Sequence, residues 1–229
     1  FVKTGYRVIL HDFKGQLKSD KPNGPYSFKE HAFETVKLLE NLGVKKAHFI
    51  GTSYGGEVGM KIAITYPETV LSLSIINSVS ELDDNLISEI KNWEELAIKK
   101  EGYNFFWGMS KSIYHPEFMR LNHTFLMDRA KVTDQIDKSY FDGQIELYKT
   151  FLNDVYMTDE LHKINAPTLV ICGQEDSLKP PKFSEIIHRK VKNSEYVLFP
   201  NCGHVTIFEK PEELKTVLFG YIKKIELEK

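Results

Sequence analysis

The sequence predicts an α/β fold, a mostly parallel sheet with helices on both faces and an inserted helical lid. Three observations carry this reading. The apolar runs at Tyr6–Leu10, Ala47–Ile50, Val70–Ile76, Leu169–Cys172 and Tyr196–Phe199 are continuous rather than alternating, as in strands covered on both sides. Segments with helical spacing lie between most of them. The third observation is a serine set between glycines, Gly51-Thr52-Ser53-Tyr54-Gly55-Gly56, at a predicted strand-to-helix junction.

The elements follow in order. Phe1 to Gly5 reads as the tail of a helix ending at a glycine, and Tyr6–Leu10 as a first strand ending at His11-Asp12. Ser27 and Glu30 form a capping box ahead of Phe33, Val36, Leu39 and Leu42, with Gly43 as the stop. The helix after Ser53 carries Gly55, Gly56, Gly59 and Ala63, small enough to lie close on a sheet, and closes before Pro67. Lys182 to Val191 and the segment from Pro211 through Ile225 are the later helices. Residues 80–160 break the rhythm with no convincing strand, many charges and many large side chains. They are expected to form the helical lid, with residues 1–79 and 161–229 as the core.

A chain of 229 residues with 41% hydrophobic content can bury one sizeable core or a core plus an insertion. A net charge of −2 asks for neither nucleic acid nor an anionic membrane as partner, and no apolar run approaches the ~18 residues of a membrane span. Cys172 and Cys202 fit no metal spacing. They read as buried free thiols suited to a reducing, cytoplasmic setting, although the non-methionine start leaves room for a removed leader.

The chemistry starts from Ser53. A strand that turns sharply into a helix leaves the serine strained and exposed, and the flanking glycines are expected to avoid collisions there. A nucleophilic serine needs an imidazole to take its proton and a carboxylate to orient that imidazole. Among eight histidines, His204 follows the last strand, at the carboxyl end where functional side chains collect in open parallel sheets. His11 also ends a strand and is its rival. His48 reads as a satisfied strand residue, while His31, His115, His123, His162 and His188 read as solvated. For the carboxylate, Asp176 leaves the strand Leu169–Cys172. Its neighbour Glu175, and Glu81, Asp83 and Asp84 after the third strand, are the alternatives.

The order Ser53, Asp176, His204, with the motifs Gly51-Thr52-Ser53-Tyr54-Gly55-Gly56, Gly173-x-x-Asp176 and Gly203-His204, resembles the α/β-hydrolase superfamily. The loop His11-Asp12-Phe13-Lys14-Gly15, running on to Ser19-Asp20-Lys21-Pro22, also looks like the family's, with Lys14 where Arg is usual and Leu17 where a second Gly is usual. The resemblance implies Ser53 as nucleophile, His204 as base and then acid, Asp176 as orienting carboxylate and the Tyr54 N–H as an oxyanion donor. It also implies an earlier strand, lying between Tyr6–Leu10 and Ala47–Ile50, and a second oxyanion donor from the loop after it. Neither is present. The sequence is therefore expected to be the C-terminal portion of a protein about 30–40 residues longer, unless Tyr6–Leu10 pairs directly with Ala47–Ile50 or a second chain fills the place.

The implied activity is cleavage of a small-molecule carboxylic ester or lactone through an acyl-enzyme, with no metal and no organic cofactor. Trp93, Phe106 and Trp107 are the substrate-contact candidates, set against the plainer reading that such residues are the lid's own core. Carbon–carbon bond hydrolysis on the same triad, enol-lactonase chemistry, perhydrolysis and a catalytically silent ligand-binding role are the alternatives. Oligomeric state is not legible.

Overall fold

A computed structural model describes residues 1–228. Four strands, β1 (Ala47–Thr52), β2 (Val70–Ile76), β3 (Thr168–Gly173) and β4 (Ser194–Phe199), form one sheet in the order β1-β2-β3-β4. All three pairings are parallel. Parallel neighbours need crossovers, and helices supply them. α2 (Tyr54–Thr65) links β1 to β2, and α8 (Pro181–Lys190) links β3 to β4. α1 (Phe28–Asn41) precedes β1, while α9 (Thr206–Glu209) and α10 (Pro211–Leu227) follow β4.

Burial follows position in the sheet. Every residue of β3 is buried, and all but one of β2, whereas β1 and β4 each bury a single residue and leave the rest partly covered or exposed. One face packs Leu73, Ile75 and Val170 against α2 and the residues before β1. The other packs Ile76, Leu169 and Ile171 against Leu214, Leu218, Tyr221 and Ile225 of α10.

Between β2 and β3 lie α3 (Asp84–Ile98), α4 (Gly102–Ile113), α5 (Pro116–Leu121), α6 (His123–Asp134) and α7 (Ser139–Asp154). Their aromatic residues do not form an isolated core. Trp93, Phe105, Phe141, Tyr148 and Phe151 join the same apolar cluster as Leu73 and Val170. The Asp154 carboxylate at the end of α7 accepts from the Phe28 N–H, 2.6 Å away, at the start of α1. The Ser27 hydroxyl caps α1 by accepting from the Glu30 N–H at 3.1 Å.

Tyr6–Leu10 differs from expectation: it is not a strand of the sheet. A run of β-prone residues becomes a strand only when a neighbour offers a ladder of donors and acceptors. Here a groove of about 290 Å³, lined by Arg7, Ile9 and Leu10 on one side and His48 and Ile50 on the other, separates the segment from β1. Direct pairing between the two is therefore also not observed. Among the described residues, no helix is long and apolar enough to cross a membrane.

His31 is the second difference. It is fully buried, ringed by Phe13, Tyr26 and Tyr54 at centroid distances of 5.5, 5.8 and 5.7 Å. The sequence places it on a helix but not on which face. Burial, reinforced by the Lys14 cation, pushes its imidazole down to about 4. A ring that stays neutral in the fold but titrates near ~6.5 when unfolded stabilises fully above ~6.5, and that stabilisation is lost as pH falls towards 4. The gap is worth about 3 kcal/mol at full extent. His31→Phe is accordingly expected to lose less stability than the parent between pH 7 and pH 4 in urea titrations. Equal pH slopes for the two proteins would contradict a neutral buried ring.

Candidate active site

β1 delivers Ser53 into a backbone conformation that L-residues rarely adopt, with φ 52° and ψ −121°. The strain is held from both sides. The Ser53 N–H donates to the Ile76 carbonyl at 2.8 Å, and the Ser53 carbonyl accepts from the Gly56 N–H at 2.8 Å and the Ser78 hydroxyl at 2.9 Å. The glycines act differently from one another. A Cβ on Gly51 would lie 2.2 Å from the Gly55 carbonyl oxygen, and one on Gly56 would lie 2.0 Å from the Ser78 hydroxyl. A Cβ on Gly55 would meet nothing within 4 Å. The expected collision at Gly55 is therefore absent, because that residue faces the groove beside β1.

His204 and Asp176 come from the loops after β4 and β3. His204 Nε2 lies 3.0 Å from Ser53 Oγ, and its Nδ1 lies 2.8 Å from Asp176 Oδ2. In a neutral imidazole, Nδ1 donating to the carboxylate leaves Nε2 to accept from the hydroxyl. Asp176, 2% exposed, is fully occupied. Oδ2 also accepts from Asn77 Nδ2 at 2.8 Å, and Oδ1 accepts from the N–H groups of Leu178 and Lys179 at 3.0 and 2.8 Å.

Supports that sequence reasoning missed complete the frame. Asn77, held at φ 51° just beyond β2, has its side-chain amide oxygen fixed by the Thr206 hydroxyl, which donates to Oδ1 at 2.6 Å. Glu209 accepts from the Gly203 N–H at 2.8 Å and from the His115 N–H at 3.0 Å, and the His204 N–H donates to the Ile113 carbonyl at 2.8 Å. The histidine loop is thereby tied to the end of α4. Tyr54 is the first residue of α2, so its N–H has no partner within the helix and sits at the positive end. Its ring packs on Phe28 at 4.8 Å.

The remaining histidines and carboxylates have other occupations. His11 stands 3.4 Å from the Thr35 hydroxyl and packs on Phe13. His48 bonds the Ser72 hydroxyl at 2.7 Å. Glu175 accepts from the Cys202 N–H, Glu81 from the Thr158 hydroxyl, and Asp83 caps α3.

A cavity of about 150 Å³ opens at Ser53. Trp93, Met109, Leu147, Tyr148 and Phe151 make most of its wall apolar, and Gln16, Gln144 and Lys179 bring polar ends. Trp93 thus lines it. Phe106 and Trp107 do not: they pack edge-to-face on each other, and Trp107 stacks on His123. The bulk of a helical aromatic is visible in sequence, but the direction it faces is not. Lys179 and Glu57 were missed as well. Glu57 does leave a trace, as a charge among the small residues of α2 that cannot be buried alone.

The alpha/beta hydrolase fold family matches residues 1–211. The chain belongs to this family. This hydrolase is 26% identical over 225 residues to a putative carbamate hydrolase RutD of Serratia proteamaculans, covering 96% of the chain and 82% of that protein. It is 25% identical over 234 residues to a 2-hydroxy-6-oxononadienedioate/2-hydroxy-6-oxononatrienedioate hydrolase of Paraburkholderia phymatum, covering 97% and 78%. Among solved structures it is similar to MGS-M2, an alpha/beta hydrolase enzyme from a Medee basin deep-sea metagenome library. The TM-score is 0.87 at 26% identity, over 93% of this chain and 78% of that one. The protein is an enzyme of the hydrolase type.

The asymmetry of the glycines can be tested. Gly51→Ala is expected to cost about 1–3 kcal/mol or more by forcing backbone apart. Gly55→Ala, in the first turn of a helix with open space, is expected to stay within about 1 kcal/mol of the parent. Denaturant midpoints of the two variants measure this, and equal losses would contradict the packing described.

Proposed function

We propose that this hydrolase cleaves a small carboxylic ester or lactone through an acyl-enzyme on Ser53. The observation that carries the reading is the unbroken relay from Ser53 through His204 to Asp176. Ser53 Oγ bonds to the acyl carbon while its proton passes to His204 Nε2, and the Tyr54 N–H faces the developing oxyanion. The carbon–oxygen bond to the leaving group then breaks, and His204 returns the proton to that oxygen. Water loses a proton to His204, attacks the acyl carbon, and the carboxylic acid departs as the proton returns to Ser53. Asp176 keeps Nδ1 protonated throughout and stabilises the imidazolium.

The small, largely apolar cavity supports a short acyl group over a long one. It also favours ester or lactone cleavage over the nine-carbon dioates named for the Paraburkholderia relative. A small-molecule substrate needs neither a nucleic acid nor a membrane partner. A cytoplasmic location goes with this reading, because Cys172 and Cys202 are buried free thiols, each pushed up to about 12 by burial.

A fluorophosphonate probe is expected to label the protein, and p-nitrophenyl acetate to be hydrolysed. Ser53→Ala should abolish both, and Asp176→Asn should keep the fold while losing roughly 10²–10⁴ in kcat. Neither labelling nor turnover in the parent would favour a silent binding role.

A further inference from the structure

The triad leaves one charged group in the cavity without a task. Lys179 is 3% exposed. Its Nζ lies 3.0 Å from Glu57 Oε1 and 3.2 Å from Ser53 Oγ, and 4.6 Å from the centre of the Phe151 ring. Glu57, fully buried one turn beyond Ser53 on α2, also accepts from the Val79 N–H at 2.7 Å. Its other oxygen has no hydrogen-bond partner among the described residues. Burial pushes the Glu57 carboxyl upward, and the Lys179 ammonium and the Val79 N–H oppose that push.

Stability gives no reason for this pair. Desolvating a lysine and a glutamate costs several kcal/mol per ion, and well-packed apolar residues of similar volume often serve as well or better. The pair sits where it costs most and where a ligand would feel it most, against the attacking hydroxyl. We propose that Lys179, held in place by Glu57, is the specificity-determining residue of the cavity. It selects acyl groups that carry an oxygen on the carbon next to the scissile carbonyl, the 2-hydroxy and 2-oxo acyl class.

The distances lead to that position. Once Ser53 is acylated, Oγ becomes an ester oxygen, a poor acceptor, and the Lys179 proton that pointed at it needs another. Bonds of about 1.5 Å put a substituent on the adjacent carbon about 3 Å from Oγ. With the ammonium 3.2 Å from Oγ, rotation about the bond between that carbon and the carbonyl can close a near-equilateral triangle whose remaining side is a hydrogen bond of about 2.8 Å. An alkyl group at the same position would leave the ammonium without a second acceptor in a cavity whose walls are mostly apolar. Glu57, 3.0 Å from Nζ, already occupies one side of the ammonium, which leaves room for a dipolar oxygen rather than a free carboxylate.

This inference rests on the acyl-enzyme reading, and the test separates the two. Phenyl glycolate and phenyl propanoate differ only by hydroxyl against methyl at the position in question. Their kcat/KM ratio is measured for the parent, for Lys179→Met, and for Lys179→Met combined with Glu57→Gln, which leaves no orphaned carboxylate. The parent should favour the glycolate, and the Met variants should lower that preference by about 10–100-fold, as expected for a lost hydrogen bond to a charged group. A merely structural lysine would depress both esters in parallel and leave the ratio unchanged. An unchanged ratio with Ser53-dependent hydrolysis of both esters overturns the role of Lys179 alone. Absence of Ser53-dependent hydrolysis of either ester overturns the acyl-enzyme reading, and this inference with it.

Discussion

The geometry of the site depends on one buried carboxylate. Asp176 receives four donors from three directions: the His204 imidazole, the Asn77 amide, and the N–H groups of Leu178 and Lys179. A charge taken this far out of water is tolerable only if each lone pair is met, so the loops around it have little freedom. Asn77 lies just beyond β2, Leu178 and Lys179 in the turn after β3, and His204 in the turn after β4. The carboxylate therefore fixes three strand ends relative to one another. A strained serine can be held against this frame, because its N–H and carbonyl are both tied to the end of β2.

The proposed recognition and the proposed chemistry share that anchor. One Asp176 oxygen orients His204, and the other holds the backbone of Lys179, whose side chain reaches Ser53 and Glu57. The seven-residue stretch from Gly173 to Lys179 thus reaches the Ser53 hydroxyl twice, through the His204 imidazole that Asp176 holds and through the Lys179 side chain. A change at Asp176 is felt twice, through imidazole orientation and through the placement of the ammonium.

Much of this was legible in the residues. The sheet's parallel character follows from continuous apolar runs, and Ser53, Asp176 and His204 were placed by the rule that functional groups leave the carboxyl ends of strands. What was hidden is of two kinds. Pairing across long sequence separation cannot be read from one chain, so Glu57 and Lys179 looked like unrelated charges, and Asn77, Thr206 and Glu209 like ordinary polar residues. The direction of a side chain is hidden too. His31 looked solvated and lies in an aromatic box, and Phe106 and Trp107 looked as good a wall as Trp93 and face elsewhere. Tyr6–Leu10 shows a third limit: strand propensity is a statement about a partner as much as about a segment.

The helices between β2 and β3 do more than cover the site. Their large side chains pack into the same cluster as the sheet, the end of α7 is bonded to the start of α1, and the end of α4 is bonded to the histidine loop through Ile113 and Glu209. Displacing these helices as a unit would break apolar contacts and strip His204 of its backbone support at once. The cavity wall and the His204 loop are therefore mechanically joined. The same contacts hold the Ser53 hydroxyl between the His204 imidazole and the Lys179 ammonium.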